Sequence, residues 1–225
     1  MNNLALFDLD HTLLPLDSDN EWGQYLVRKG VLDAEAFGRR NAEFFAQYQA
    51  GTLDPDEYLD FALGTLAQFK RRDLDAWREQ FMQEMILPAI LPAAKELLEK
   101  HRAAGDLLAI VTATNSYVTA PIAAALGVQH LIAAEPVLDA NGEITGQLQG
   151  QHNQGAGKIH NTRAWLARMG KDFSSFAQTH FYSDSHNDIP LMSVVTHPVA
   201  TNPNAKLSAH AQAQGWPLLH LFHDD

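Results

Sequence analysis

Apolar positions along the chain follow two different spacings. Short unbroken runs at 4–7, 107–111, 130–133, 180–182 and 194–200 are too short for helices, and they predict strands buried in a parallel sheet. Between most of them the spacing becomes helical. Along 116–126, Val118, Ile122 and Leu126 recur every four residues as an apolar stripe, and Gly127 supplies the stop. Strand and helix alternating in this way predict an α/β domain with a mainly parallel sheet. The segment 137–144 reads as a β-hairpin in which Asn141-Gly142 supplies two positive φ angles. Residues 216–221 are a candidate last edge strand.

Residues 15–91 break the alternation and read as three or four helices with no strand between them. Asp54-Pro55-Asp56-Glu57 is a strong helix start: a capping Asp, Pro in the first turn and Glu three residues on. Tyr58, Phe61, Ala62, Leu66 and Phe69 then follow at helical spacing. The segment holds 11 of the 20 aromatic residues. It therefore predicts an inserted all-α cap, residues 15–91, with a small core of its own, and leaves residues 1–14 plus 92–225 as the α/β domain.

Composition narrows the partners. The formal net charge of -11 repels polyanions, which argues against nucleic acid and acidic membrane surfaces. With no cysteine, disulfides, thiol nucleophiles and Cys-ligated zinc are excluded. No apolar run is long enough for a membrane span, and the N-terminus does not read as a signal peptide, so the expected location is the cytoplasm. His220 and His223 are the one close histidine pair, and no ligand constellation accompanies them. A monomer or a homodimer is expected.

The chemistry concentrates where apolar runs end. Phe7-Asp8-Leu9-Asp10-His11-Thr12 closes the first run with two aspartates one residue apart, and their side chains would face the same way if the strand continued. Two carboxylates roughly 4 Å apart repel by about 4 kcal/mol at an effective dielectric of 20, so a divalent cation or a shared proton is required between them. Tyr182-Ser183-Asp184-Ser185-His186-Asn187-Asp188 ends another run. Asp184 lies one residue beyond a buried strand, whereas Asp188, with Pro190 just after it, also reads as a helix cap. Oxygen ligands from two strand ends suit Mg²⁺ better than zinc. Thr112-Ala113-Thr114-Asn115 is a hydroxyl-rich turn between a strand and a helix, where phosphate oxygens bind. Gly155-Ala156-Gly157-Lys158 sets a lysine at a helix start. It is not a nucleotide-binding P-loop, because His152 and Ile159 stand where that motif needs Gly and Ser or Thr.

In this order the four segments resemble the haloacid dehalogenase-like hydrolase superfamily: Asp-x-Asp-x-Thr at 8–12, Thr112, Lys158, and Asp-x-x-x-Asp at 184–188. A helical insertion soon after the first motif is similar to that of the phosphoserine phosphatase-like subgroup. The runs 17–23 and 110–115 look most like bacterial histidinol-phosphatase-type members. The resemblance implies a doubly wound, Rossmann-like parallel sheet core with the inserted helical cap. It also implies a Mg²⁺-dependent hydrolase of small phosphate monoesters. In that scheme Asp8 is the nucleophile that becomes an aspartyl-phosphate, and Asp10 is the general acid and base. Mg²⁺ is held by Asp8, Asp184 and the main-chain carbonyl of Asp10. Thr112, Ala113, Lys158 and Asn187 bind phosphate, and Asp188 supports Lys158 or a metal-bound water.

Substrate choice then falls to the cap. Asp17, Asp19 and Glu21 favour a substrate amine, as in L-histidinol phosphate; Asp17 stands nine residues after Asp8, where phosphoserine phosphatases carry an acidic substrate contact. Arg39 and Arg40 are candidates to hold a substrate carboxylate, as in phosphoserine, or else surface residues. His11 stands where relatives often carry a small residue; it either narrows the site or faces solvent. Phosphotransfer to an alcohol, and a receiver-like phosphoacceptor module, are the competing readings.

Overall fold

The structure is a computed structural model that describes residues 2–222. Seven strands form one mixed, mostly parallel sheet, and β1 (Leu4–Phe7) lies at its centre. β1 pairs in parallel with β2 (Leu107–Asn115) on one side and with β5 (Thr179–Ser183) on the other. β3 (His130–Leu138) continues in parallel beyond β2, and β4 (Ile144–Gln149) closes that edge as an antiparallel hairpin strand. β6 (His197–Thr201) and the two-residue β7 (Leu218–Leu219) complete the other edge, both parallel.

All four residues of β1 are fully buried. Alternation sends Ala5 and Phe7 into one core cluster and Leu4 and Leu6 into the other, so helices cover both faces. One face carries α6 (Pro92–Ala103) and α7 (Ser116–Ala125) through Leu98, Val118 and Ile122. The other carries α8 (Ala156–Arg168), α9 (Ile189–Met192) and α10 (Ala205–Gln214) through Trp165, Leu191 and Leu207.

Four helices follow β1: α1 (Ser18–Arg28), α2 (Ala34–Ala50), α3 (Pro55–Leu66) and α4 (Arg71–Phe81). A π-helical turn, Met82–Ile86, and the three-residue α5 (Leu87–Ala89) lead from α4 to the start of α6. Asp54 caps α3 as its sequence predicts, accepting from the backbone N–H groups of Asp56 and Glu57, with Pro55 in the first turn. The expectation that this segment has a core of its own needs correction. Trp22, Tyr25, Leu63, Leu66, Leu74 and Phe81 join the same cluster as Phe7, Ile110 and Val118, because α3 packs on β4 and α1 on β2, with α4 against α1. Within the insertion, Phe37, Phe44, Tyr58 and Phe61 pack ring to ring as a separate group, apart from the Trp22–Tyr25–Phe81 rings that join the shared cluster.

Two local expectations also change. The run at 194–200 becomes strand only from His197, because 194–196 form a turn closed by Val194 N–H donating to the Leu191 carbonyl and by the Thr179–Thr196 hydrogen bonds. In the turn between β3 and β4 only Gly142, and not Asn141, has positive φ, at 80°. Asp139 Oδ1 accepts from the backbone of Asn141 at 2.8 Å and of Glu143 at 2.9 Å, which shapes a longer turn. His220 is exposed, and His223 lies outside the described residues. No helix among the described residues is long and apolar enough to cross a membrane.

Candidate active site

β1 stops at Phe7, and Asp8 follows with its backbone N–H on the Tyr182 carbonyl of β5 at 2.9 Å. The chain then turns sharply. The Leu9 carbonyl accepts from Thr12, Leu13 and Leu14, and His11 takes the left-handed conformation, φ 56°, exposed at the rim. Strand alternation therefore does not aim the two aspartates, since the strand has ended. They serve different partners. Asp10 Oδ1 accepts from the Ser18 backbone N–H at 2.8 Å, and Asp10 Oδ2 accepts from the Thr114 hydroxyl at 2.9 Å. Burial, then the Asp17 carboxylate, pushes the Asp10 carboxyl up to about 8, so it holds a proton at neutral pH and can act as an acid.

Asp8 is tied to Lys158 at the start of α8. Lys158 Nζ donates to Asp8 Oδ1 at 2.8 Å and to Asp188 Oδ2 at 2.7 Å, and all three residues are buried. Burial alone would lower the Lys158 pKa; the charges of Asp188 and Asp8 outweigh it, and the ammonium is held. Asp188 is thus no simple helix cap: it makes no cap bond, and it also accepts from the Ser183 hydroxyl at 2.7 Å. The Thr12 hydroxyl lies 3.4 Å from Asp8 Oδ2 and 3.2 Å from Asp184 Oδ1, and it accepts from the Asp184 backbone N–H at 3.0 Å. Burial and the nearby Asp8 charge raise the Asp184 carboxyl well above the ordinary range.

The third strand end completes the floor. β2 and β3 fall out of register between Val111 and Asn115, and Thr112, Ala113 and Thr114 line the cavity there. Asn153 pins the gap, donating to the carbonyls of Thr112 at 2.7 Å and Ile132 at 2.9 Å. Asn187 lines the cavity from the turn before Asp188.

The cavity, about 730 Å³, extends from these groups to the helical insertion. Asp17 lines it and caps α1, its Oδ1 accepting from Asp19 and Asn20 N–H. Asp19 lines it too. Its Oδ2 accepts from the Tyr58 hydroxyl at 2.6 Å and its Oδ1 from Asn115 Nδ2 at 3.2 Å. Burial raises the Asp19 carboxyl to about 6. Glu21 lines the cavity and approaches Arg28 at 4.0 Å. Arg39 and Arg40 are absent from the wall. Arg39 faces solvent beside Glu35, while Arg40 pairs with Glu43 and Glu57 over the Phe44 ring. Lys158 is the one lysine or arginine among the described residues lining the cavity.

Several residues that shape the site carry no local sequence signal. Thr12 stands inside the first motif, yet its bridging of two carboxylates depends on β1 meeting β5. Thr114, Asn153, Ser183 and Tyr58 act across the fold.

A family model described as haloacid dehalogenase-like hydrolase matches residues 5–193. The chain is 40% identical over 221 residues to a histidinol-phosphatase of Neisseria meningitidis serogroup C, covering 98% of this chain and 100% of the relative. A crystal structure of a protein of unknown function from Bordetella pertussis Tohama I is 47% identical, with TM-score 0.94 over 99% of this chain and 100% of that one. A phospho-aspartyl intermediate analogue of phosphoserine phosphatase shares the fold at TM-score 0.68 and 16% identity, over 99% and 95% of the two chains.

Proposed function

The chain belongs to the haloacid dehalogenase-like hydrolase family and is a phosphatase, and on that premise we propose that it hydrolyses L-histidinol phosphate through a phosphate ester on Asp8, with Mg²⁺ as cofactor and residues 15–91 as the cap over the site. The carrying observation is the chain of contacts Asp188–Lys158–Asp8–Thr12–Asp184, which gathers a carboxylate nucleophile, a buried ammonium and a second carboxylate at the ends of β1 and β5.

Asp8 and Asp184 present two carboxylates with only a hydroxyl between them, and the Asp184 carboxyl is driven toward protonation first by burial and then by the Asp8 charge. Among the described residues no three acidic or histidine side chains form a ready metal cage. That donor set still fits Mg²⁺, which binds through one or two carboxylates and keeps other positions for water and substrate phosphate. Asp8, Asp184 and the Asp10 carbonyl would hold it. When bound it offsets the repulsion between the nucleophile and a phosphate dianion.

An Asp8 oxygen forms a bond to phosphorus as the phosphorus–alkoxide bond breaks, and the proton held on Asp10 goes to the leaving oxygen. Asp10, now ionised, takes a proton from the attacking water as the Asp8–phosphorus bond breaks, which restores both carboxyl groups. Lys158, Thr112 and the turn at Ala113 and Asn187 bind the non-bridging oxygens.

Asp17, Asp19 and Glu21 line the far side of the cavity, and no arginine is among its lining residues; Arg28 approaches Glu21 from outside. A substrate amine finds an acid there, and a substrate carboxylate finds no cation. This favours histidinol phosphate over phosphoserine and agrees with what the Neisseria relative is named for.

The test is phosphate release from L-histidinol phosphate, phosphoserine and sugar phosphates, with Mg²⁺ and with chelator. The expected result is Mg²⁺-dependent turnover led by histidinol phosphate. Asp8→Asn is expected to stay folded and release no phosphate. Turnover in that variant overturns the nucleophile, and a preference for phosphoserine overturns the substrate.

A further inference from the structure

Asp19 occupies an unusual position for a carboxylate. It reaches into the cavity from the first turn of α1, yet its two hydrogen-bond partners, Tyr58 and Asn115, are both neutral. No described ion pair involves it. Withdrawing a carboxylate from water without a counter-charge is costly, and each of its oxygens keeps a lone pair beyond the bond already made. Asp17 differs: its Oδ1 is committed to the α1 cap.

The placement of Asp19 relative to the reacting groups is fixed by consecutive residues of β2. Thr114 donates to Asp10, the acid that meets the leaving oxygen, and Asn115 donates to Asp19. Asp19 and Asp10 are thus held by neighbouring residues of one strand, and both line the cavity. Beside Asp19 the cavity wall becomes aromatic and apolar. Phe44 and Tyr58 meet edge to face at 5.3 Å, Leu59 adjoins them, and Phe45 remains 60% exposed at the mouth. Such a wall accepts a planar group, and the carboxylate at its edge accepts that group's N–H.

We infer that Asp19 is a specificity-determining residue that receives the ring N–H of the leaving alcohol, so that the cavity selects phosphate esters carrying a flat nitrogen heterocycle as well as an amine. This deepens the substrate assignment above and rests on it. Asp17 takes the amine, and Asp19 with the Phe44–Tyr58 wall takes the ring.

The experiment compares Asp19→Asn with the unaltered enzyme on L-histidinol phosphate and on O-phosphoethanolamine, which has the amine and no ring. Loss of a charge-assisted hydrogen bond is expected to raise KM for histidinol phosphate by about tenfold or more while kcat changes little. KM for phosphoethanolamine is expected to rise several-fold less than KM for histidinol phosphate, because it has no ring N–H for Asp19 to receive. Equal losses on both substrates would mean that Asp19 only braces Tyr58 and Asn115, and equal KM values before and after would mean that it touches no substrate; either overturns the inference. A thermal melt of the variant separates unfolding from selectivity. If the unaltered enzyme hydrolyses phosphoethanolamine and rejects histidinol phosphate, the substrate assignment itself fails and this inference with it. If it accepts histidinol phosphate and the variant behaves alike on both esters, only the role of Asp19 fails.

Discussion

Thr12 shows how much a single hydroxyl does at the centre of this site. It lies between the carboxylates of Asp8 and Asp184 and accepts from the Asp184 backbone, so it sets the spacing of the two strand ends. Thr12→Val keeps the shape and removes both the donor and the acceptor, leaving the Asp184 N–H unpaired in a buried position. The expected result is a fall in kcat of about 10- to 100-fold with a small change in KM, together with a raised Mg²⁺ requirement. Steady-state kinetics over a Mg²⁺ titration measures this, and a wild-type kcat would show that the hydroxyl is incidental. The charged members of the site were legible in the sequence because Asp8, Asp10 and Asp184 each stand where an apolar run ends, and a parallel strand ending in an acid has few structural uses. Lys158 was legible through the glycines before it. The neutral groups were not, since Thr114, Asn153 and Tyr58 gain their roles only when β2, β3 and α3 come together.

At the scale of elements, α8 is the clearest case of a segment positioned for one side chain. Gly155 enters the helix at φ 55°, a conformation that L side chains rarely adopt. Gly157 packs so closely on the preceding turn that a Cβ there would lie 2.3 Å from the His152 carbonyl oxygen. The two glycines let the helix start fold back on 152–154, and this closeness aims Lys158 at Asp8. Gly157→Ala must push backbone against backbone. The expected cost is about 1–3 kcal/mol of stability, with a loss of activity exceeding what the fraction unfolded explains. Denaturant unfolding beside kinetics on the folded fraction tests it, and a variant of unchanged stability would sink the account. The hairpin at the opposite edge shows where element-level reading fell short. Asn141-Gly142 marks a turn, and a turn is found, but its type follows from Asp139, whose side chain captures two backbone N–H groups. Dipeptide preference cannot register a competing side chain one turn-length away.

Across the whole molecule, the helical insertion and the sheet share one apolar cluster, and the acidic excess is turned inward as well as outward. The aromatic richness of 15–91 suggests a private core because a sequence reports how apolar a segment is, not what it leans on. Trp22 and Phe81 lean on the sheet side, where they join Phe7 and Val118. The charge balance has a kinetic consequence. The chain carries a formal net charge of -11, and Lys158 shares one cavity with Asp8, Asp17, Asp19, Glu21 and Asp188, beside Asp10 and Asp184, which burial drives toward protonation. A phosphate dianion approaching this field is repelled, whereas an ester that also bears a cation loses part of its net charge and gains attraction at the acidic wall. Salt screens both effects, since the Debye length falls from about 30 Å at 0.01 M to about 8 Å at 0.15 M. With Mg²⁺ held constant, raising ionic strength across that range should therefore increase kcat/KM for a simple alkyl phosphate and reduce or leave unchanged kcat/KM for histidinol phosphate. The selectivity for the amine-bearing ester should be greatest at low salt and shrink several-fold as salt is added. If the ratio of the two constants is flat with ionic strength, the acids of the wall do not act on the substrate as charges, and selection would have to come from shape alone.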